Sequence, residues 1–125
     1  MTNCGTDKKY FKKLLLIDLD GVLNLYNGKY DANKISKIRP GTLDFIKKLH
    51  QDYRISIFTA RDIKTTIEWL KENDLNNYIE EVTNIKNPFA SVILDDRAIN
   101  FDGDYNKAYN SIKNFQPYWK KLKIK

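Results

Sequence analysis

The chain has 125 residues, 42% of them hydrophobic and 30% charged, so we expect residues 1–125 to form a single domain with its own core. No apolar run approaches the roughly 20 residues that a membrane-spanning helix needs, so the sequence predicts no membrane span. The single cysteine, Cys4, excludes an internal disulfide and favours a reducing compartment, the cytoplasm.

The net charge of +6 arises from 22 Lys and Arg residues against 16 Asp and Glu residues. Four lysines lie between positions 8 and 13 and four more between positions 120 and 125. Such an excess favours anionic partners, which include phosphorylated small molecules, phosphorylated macromolecules and nucleic acid. We interpret residues 1–12 and 118–125 as basic tails, either simply solvated or in contact with nucleic acid.

The first predicted element is a buried strand at Leu14–Ile17, within the sequence KKLLLIDLDGVL. Asp18 and Asp20 follow at its carboxyl end, and alternation along an extended strand projects both side chains to one side. Two neighbouring carboxylates repel each other, so a divalent cation is their natural partner. The alternative is a calcium-loop fragment or ordinary turn chemistry, but a calcium loop needs a longer series of oxygen ligands than residues 22–25 supply.

The rest of the chain alternates between predicted helices and strands. The Asn27-Gly28 dipeptide within residues 22–30 predicts a small β-hairpin flap beside the first aspartates. Helices are expected after Pro40, Asp62 and Asp104, and further strands at residues 54–59, around Val82, at 91–94 and, at an edge, at 98–101. Pro117 is expected to end the last helix. This alternation predicts a three-layer αβα, Rossmann-like fold with a mainly parallel sheet.

Each predicted strand is followed by polar groups that can carry chemistry. The carboxyl ends of parallel strands meet at one edge of a sheet, so we expect these groups to converge there. Several carboxylates against one lysine make the site net negative, and an oxygen-only ligand set suits Mg²⁺ rather than zinc. A lysine and a threonine hydroxyl beside such a cation are equipment for phosphoryl transfer. The converging residues are Asp18, Asp20, Thr59, Lys86, Asp95 and Asp96.

Four segments resemble, in chain order, the four motifs of the haloacid dehalogenase (HAD) superfamily. They are DLDGV at 18–22, IFTAR at 57–61, Lys86 ahead of a strand, and ILDD at 93–96. The acid at the second position of the first motif resembles the phosphatase branch. The stretches between motifs are filled by the predicted elements, so the chain looks like a capless member with a HAD-like core.

The resemblance implies a role for each motif residue. Asp18 would be the nucleophile that forms an aspartyl-phosphate, and Asp20 would protonate the leaving group and then activate water. Thr59 and Lys86 would bind the phosphoryl group. Asp95 and Asp96 would complete the Mg²⁺ site with Asp18 and the backbone carbonyl of Asp20. We favour Asp96 as the direct ligand, with Asp95 joining it or orienting the lysine.

The favoured function is therefore a Mg²⁺-dependent phosphomonoester hydrolase, and an alternative is a phosphatase acting on polynucleotide ends. The non-enzyme alternatives are a receiver-like phospho-acceptor domain and a phosphate-binding module. A receiver places its acidic pair after the first strand and its acceptor in mid-chain, so the motif order here disfavours it. Arg61, Arg97 and Tyr26 are candidate substrate contacts, and each arginine could equally be an ion-pair partner.

Overall fold

Four parallel strands form the centre of the structure, a computed structural model that describes residues 12–123 and their side chains up to Lys120. They are β1 (Lys13–Asp18), β2 (Tyr53–Phe58), β3 (Glu81–Thr83) and β4 (Val92–Leu94). Their order across the sheet is β3-β2-β1-β4. The predicted class, an α/β Rossmann-like fold with a HAD-like core, is confirmed.

Helices connect and flank these strands. The first two, α1 (Thr42–His50) and α2 (Ile63–Glu72), join β1 to β2 and β2 to β3, and a 3-10 turn (Asn76–Tyr78) precedes β3. Two more helices follow β4, namely α3 (Tyr105–Lys113) and α4 (Tyr118–Lys123). No helix within residues 12–123 combines the length and hydropathy needed to cross a bilayer.

Local sequence explains where these helices begin. The Asp62 side chain accepts a hydrogen bond from the Thr65 backbone N–H at 2.9 Å, and Asp104 caps α3 in the same way, as the sequence predicts. Helix α1 begins two residues after Pro40, because Gly41 serves as its N-cap with a φ of 89°.

The core positions the ends of the strands. Leu15 and Ile17 of β1 and their β2 neighbours Ile55 and Ile57 are buried against α1 and α2. Full burial of each such side chain stabilises the fold by about 1.5–3 kcal/mol. In the pairing of β1 with β2, Asp18 lies opposite Phe58. In the pairing of β1 with β4, Ile17 lies opposite Leu94. The residues that follow β2 and β4 are therefore carried to the end of β1.

The flap and the edge strand differ from the prediction. The antiparallel pairing in the flap does not close around Asn27-Gly28; an isolated bridge joins Asn24 to Ile38 instead. The Asn27 side chain accepts from the Lys29 backbone N–H, so this dipeptide makes a local bend within a wider loop. Residues 98–101 form no strand, because their backbone finds no partner on β4.

The carboxyl-terminal region also differs. Helix α3 ends at Lys113, and its predicted apolar face, which includes Tyr105, Tyr109 and Ile112, is exposed. Residues 118–123, predicted as part of a basic tail, form α4. Tyr118 and Trp119 at its start contact the loops after β1 and β4. The other predicted tail comprises residues 1–12. All of it except residue 12 lies outside the described residues, and so does Cys4.

Candidate active site

Three carboxylates meet at the carboxyl ends of β1 and β4. One oxygen from each of Asp18, Asp95 and Asp96 lies within 4.8 Å of the others, and all three side chains are half-buried. Burial raises the pKa of Asp18 to about 8, with further contributions from the neighbouring carboxylates of Asp96, Asp95 and Asp20. The cluster therefore favours taking up a proton or a cation.

The two oxygens of Asp96 have different surroundings. Oδ2 accepts a hydrogen bond from the Trp119 indole Nε1–H at 2.5 Å. Oδ1 is buried and has no hydrogen-bond partner among the residues that the structure describes. A buried carboxylate oxygen without a donor, beside two further carboxylates, fits a hard cation with oxygen ligands, and Mg²⁺ is such a cation.

Gly21 makes room for this arrangement. Its φ is 89°, and a Cβ added there would lie 2.1 Å from Asp96 Oδ2. Any other residue would therefore meet both backbone strain and a collision with the acidic cluster. The motif therefore needs glycine at this position for two reasons: the positive φ of its turn and the close approach of the Asp96 side chain.

Asp20 is not one of the three clustered carboxylates and is paired with Arg61. Its Oδ2 accepts from Arg61 Nε at 2.8 Å and its Oδ1 from Arg61 Nη2 at 3.0 Å, a bidentate ion pair. Asn24 Nδ2 also donates to Asp20 Oδ1 at 2.9 Å, while Asn24 Oδ1 accepts from the Gly21 backbone N–H. The side chain of Asp20 is 18% exposed and that of Arg61 only 2%.

Arg61 is fully committed to protein contacts. Its Nη1 donates to the Asp31 backbone carbonyl at 2.7 Å, and its guanidinium lies 4.6 Å from the centre of the Tyr30 ring. Burial alone would lower the pKa of Arg61, but the carboxylate of Asp20 outweighs it and the net shift is upward. Of the two roles considered for this arginine, the structure shows the ion pair.

Thr59 lies at the end of β2, where its buried hydroxyl oxygen accepts from the Arg61 backbone N–H at 3.1 Å. Among residues 12–123 the hydroxyl donates to no acceptor, so its hydrogen is available within this part of the chain. Asn84 Nδ2 donates to the backbone carbonyls of Thr59 and Arg61, at 2.6 and 2.9 Å, and fixes this turn against the loop after β3.

Lys86 and Arg97 lie on exposed parts of the loops around β4. Within residues 12–123, no hydrogen bond or ion pair is formed by the Lys86 ammonium or the Arg97 guanidinium. The Arg97 backbone N–H donates to Asp95 Oδ1 at 2.9 Å, which fixes that carboxylate. The structure therefore brings Asp18, Asp95 and Asp96 together and places Thr59 at the same end of the sheet, after β2. Within the described residues, the charged groups of Lys86 and Arg97 have no polar partner.

Sequence reasoning missed the contribution of α4. The Tyr118 hydroxyl donates to the Gly21 carbonyl at 2.5 Å, and Arg39 both donates to that hydroxyl and lies over the ring. Tyr26, a candidate substrate contact, packs edge-on against the Trp119 ring, with 5.2 Å between the ring centroids. The one sequence feature that could have indicated packing of this segment is the aromatic pair Tyr118-Trp119, which precedes the terminal lysines.

A cavity of about 480 Å³ adjoins the acidic pair. Asp95 and Asp96 lie at one side of it, Phe45 and Leu94 supply apolar surface, and Tyr118 forms part of its wall. This volume lies within the range that small-molecule sites occupy. The cluster therefore borders a space that a small organic group can enter.

The fold and the site together define a class of protein. A parallel sheet with an Asp-x-Asp-Gly turn after β1 and an Asp-Asp pair after β4 is a HAD-type core, and no cap domain is inserted within residues 12–123. The sequence signature of the NLI interacting factor-like phosphatases matches residues 13–122. The chain belongs to this family, a capless phosphatase family of the HAD superfamily.

A solved structure supports the fold. A conserved protein from Bacteroides thetaiotaomicron is similar to this chain with a TM-score of 0.55 and 18% sequence identity. The likeness covers 86% of this chain and 94% of the other. Among curated proteins, none matches the sequence.

Proposed function

We propose that this protein is a Mg²⁺-dependent phosphomonoester hydrolase that works through an aspartyl-phosphate on Asp18. The observation that carries the proposal is the convergence of Asp18, Asp95 and Asp96 within 4.8 Å, with the buried Oδ1 of Asp96 lacking a donor among the described residues. Membership of a phosphatase family supports the same chemistry over a receiver-like or purely binding role.

Four residues are proposed to hold the cation: Asp18, Asp95 and Asp96 through carboxylate oxygens, and Asp20 through its backbone carbonyl. When bound, Mg²⁺ would neutralise the carboxylates and the phosphoryl oxygens, which otherwise repel each other. Thr59 suits a phosphoryl contact because its hydroxyl oxygen is occupied as an acceptor and its hydrogen is free to donate. Lys86 would supply a positive charge from the loop after β3.

The reaction proceeds in two steps. A carboxylate oxygen of Asp18 attacks phosphorus, the bond to the leaving oxygen breaks, and that oxygen takes a proton from Asp20. Water then attacks the acyl-phosphate, Asp20 accepts its proton, and the bond from phosphorus to Asp18 breaks. Inorganic phosphate and the free alcohol are the products, and both carboxyl groups return to their starting forms.

The leaving group decides how strongly the first step depends on Asp20. An aryl phosphate can lose its leaving group without a proton, whereas an alkyl phosphate needs one from Asp20. Aryl phosphates should therefore react faster than alkyl phosphates.

The substrate is proposed to be a phosphorylated small molecule or macromolecule, and one cysteine in the chain suits a cytoplasmic location. Polynucleotide ends are the alternative substrate because α4, which carries Lys120, Lys121 and Lys123 in sequence, begins against the site. A panel of phosphorylated metabolites and of 3′- and 5′-phosphorylated oligonucleotides separates these alternatives.

The proposal is tested first by metal removal. Hydrolysis of an aryl phosphate should stop in EDTA and recover when Mg²⁺ is added in excess. Full activity in EDTA would contradict the mechanism.

The second test separates the two aspartates. Asp18→Asn should form no phosphoenzyme and should have only background activity. Asp20→Asn should still be phosphorylated by an aryl phosphate, but should release the phosphoryl group slowly. Intact-mass spectrometry after rapid acid quench should show one added phosphoryl group in the second variant alone. Turnover by Asp18→Asn with that mass on another residue would refute the assignment.

A further inference from the structure

The hydrogen bond between Trp119 and Asp96 connects the carboxyl-terminal helix to the acidic cluster. The indole N–H donates to Asp96 Oδ2 at 2.5 Å, while Oδ1 of the same carboxylate has no donor in the described structure. A hydrogen bond from a neutral donor to a carboxylate is charge-assisted and directional. It therefore restricts rotation of the Asp96 carboxylate.

The tryptophan is itself held from several sides. Its ring meets Tyr26 edge-on, with 5.2 Å between centroids and an angle of 80°. A Cβ added to Gly28 would lie 2.7 Å from the ring, so the flap passes it at a distance that only glycine permits. The preceding residue, Tyr118, is tied to the Gly21 carbonyl at 2.5 Å. The indole N–H is thus presented in a defined direction.

We infer that Trp119 is a positioning residue for the metal site: by holding Oδ2 of Asp96 it directs Oδ1 toward the position shared with Asp18 and Asp95. The inference rests on the proposed metal dependence. Partners of this kind, which contact a ligand rather than the metal, fix the orientation of the ligand before the metal arrives. A residue that only filled space would not need its N–H.

Calorimetric titration of Mg²⁺ into the metal-free, full-length protein tests this without measuring catalysis. Trp119→Phe keeps a ring against Tyr26 but removes the donor, and its dissociation constant for Mg²⁺ should rise about tenfold or more. Trp69→Phe is the matched control, because it makes the same substitution at the tryptophan of the core and leaves the indole–carboxylate bond intact. Its dissociation constant should stay within about twofold of the original.

The outcomes separate this inference from the proposed function. If the unaltered protein takes up no Mg²⁺, the proposed function fails and the inference fails with it. If it binds Mg²⁺ and Trp119→Phe binds equally well, only the inference is overturned. Tighter binding by Trp119→Phe would also overturn it, since the indole would then be competing with the cation for Asp96.

Fluorescence of the unaltered protein provides a test that does not depend on the folding of Trp119→Phe. The chain has two tryptophans, and the other, Trp69, is buried in the core. Mg²⁺ should change the emission of the indole bound to Asp96 with the midpoint found by calorimetry, and Asp96→Asn should lose this response. Unchanged emission at saturating Mg²⁺ would overturn the inference.

Discussion

Removal of Arg61 should cost far more stability than removal of an exposed arginine that also forms an ion pair. In Arg61→Met the carboxylate of Asp20 would stay largely buried without its bidentate partner. Breaking a buried ion pair from one side costs about 3–5 kcal/mol of unfolding free energy. The bond from Arg61 to the Asp31 carbonyl would also be lost, so the upper part of this range is expected.

Arg54→Met is the matched control. Arg54 pairs with Glu80 at 3.2 Å, and these side chains are 34% and 40% exposed. An exposed pair of this kind contributes at most about 1 kcal/mol. Because the two substitutions are chemically identical, the difference between them measures how much more the buried, bidentate contacts of Arg61 contribute than the exposed contacts of Arg54.

Urea unfolding in EDTA, followed by far-ultraviolet circular dichroism, gives the free energies. The double variant Asp20→Asn, Arg61→Met should lose less than the sum of its single variants, because the unpaired charge is then gone. If Arg61→Met is too unstable to fold, Arg61→Lys, which keeps one charge, should fall between it and the original protein. Equal losses in Arg61→Met and Arg54→Met would refute the reasoning.

Three further predictions follow from the site. The pKa of Asp18 is raised from 3.8 to about 8, so its contribution to the stability of the metal-free protein is present below pH 4 and lost as pH rises to about 8. The Tm in EDTA should therefore fall more steeply over this range than that of Asp18→Asn, and parallel slopes would contradict the shift. Gly21→Ala should destabilise the protein and weaken Mg²⁺ binding more than Gly41→Ala, which has the same φ of 89° but no atom within 4 Å of the added Cβ. Denaturation compares the unfolding free energies of the two variants, and calorimetry compares their Mg²⁺ dissociation constants. Equal effects would mean that the added Cβ does not collide with Asp96. Replacing Tyr26 and Tyr30 with Ala should alter KM and substrate preference more than kcat on a small aryl phosphate, and unchanged preference would place specificity elsewhere.

The convergence of the acidic groups could be predicted because it depends on local signals. Short apolar runs define β1 and β4, and parallel pairing in register then carries Asp95 to Asp18. Similarly, Asp62 and Asp104 begin helices through contacts within three residues. Each of these features is decided by residues close together in sequence.

The partners of individual side chains could not be predicted in this way. Arg61 lies 41 positions from Asp20, and several other carboxylates compete for it; only the packed flap decides the pairing. The flap itself pairs Asn24 with Ile38 across a wide loop, which no two-residue turn signal could reveal. Trp119 stands in a lysine-rich segment whose composition resembles a tail, and its partner Asp96 is 23 positions away.

The 23 positions between Asp96 and Trp119 also mean that Asp96 is synthesised before its hydrogen-bond partner. All four strands and the three clustered carboxylates precede Trp119 in the chain, so they leave the ribosome first. At about 5–20 residues per second, Trp119 follows Asp96 after roughly 1–5 s. The nascent domain can therefore assemble its sheet before Asp96 is anchored, and the hydrogen bond from α4 is added last. If Trp119 positions Asp96 as proposed, metal captured before this hydrogen bond forms would be held less tightly than metal captured afterwards.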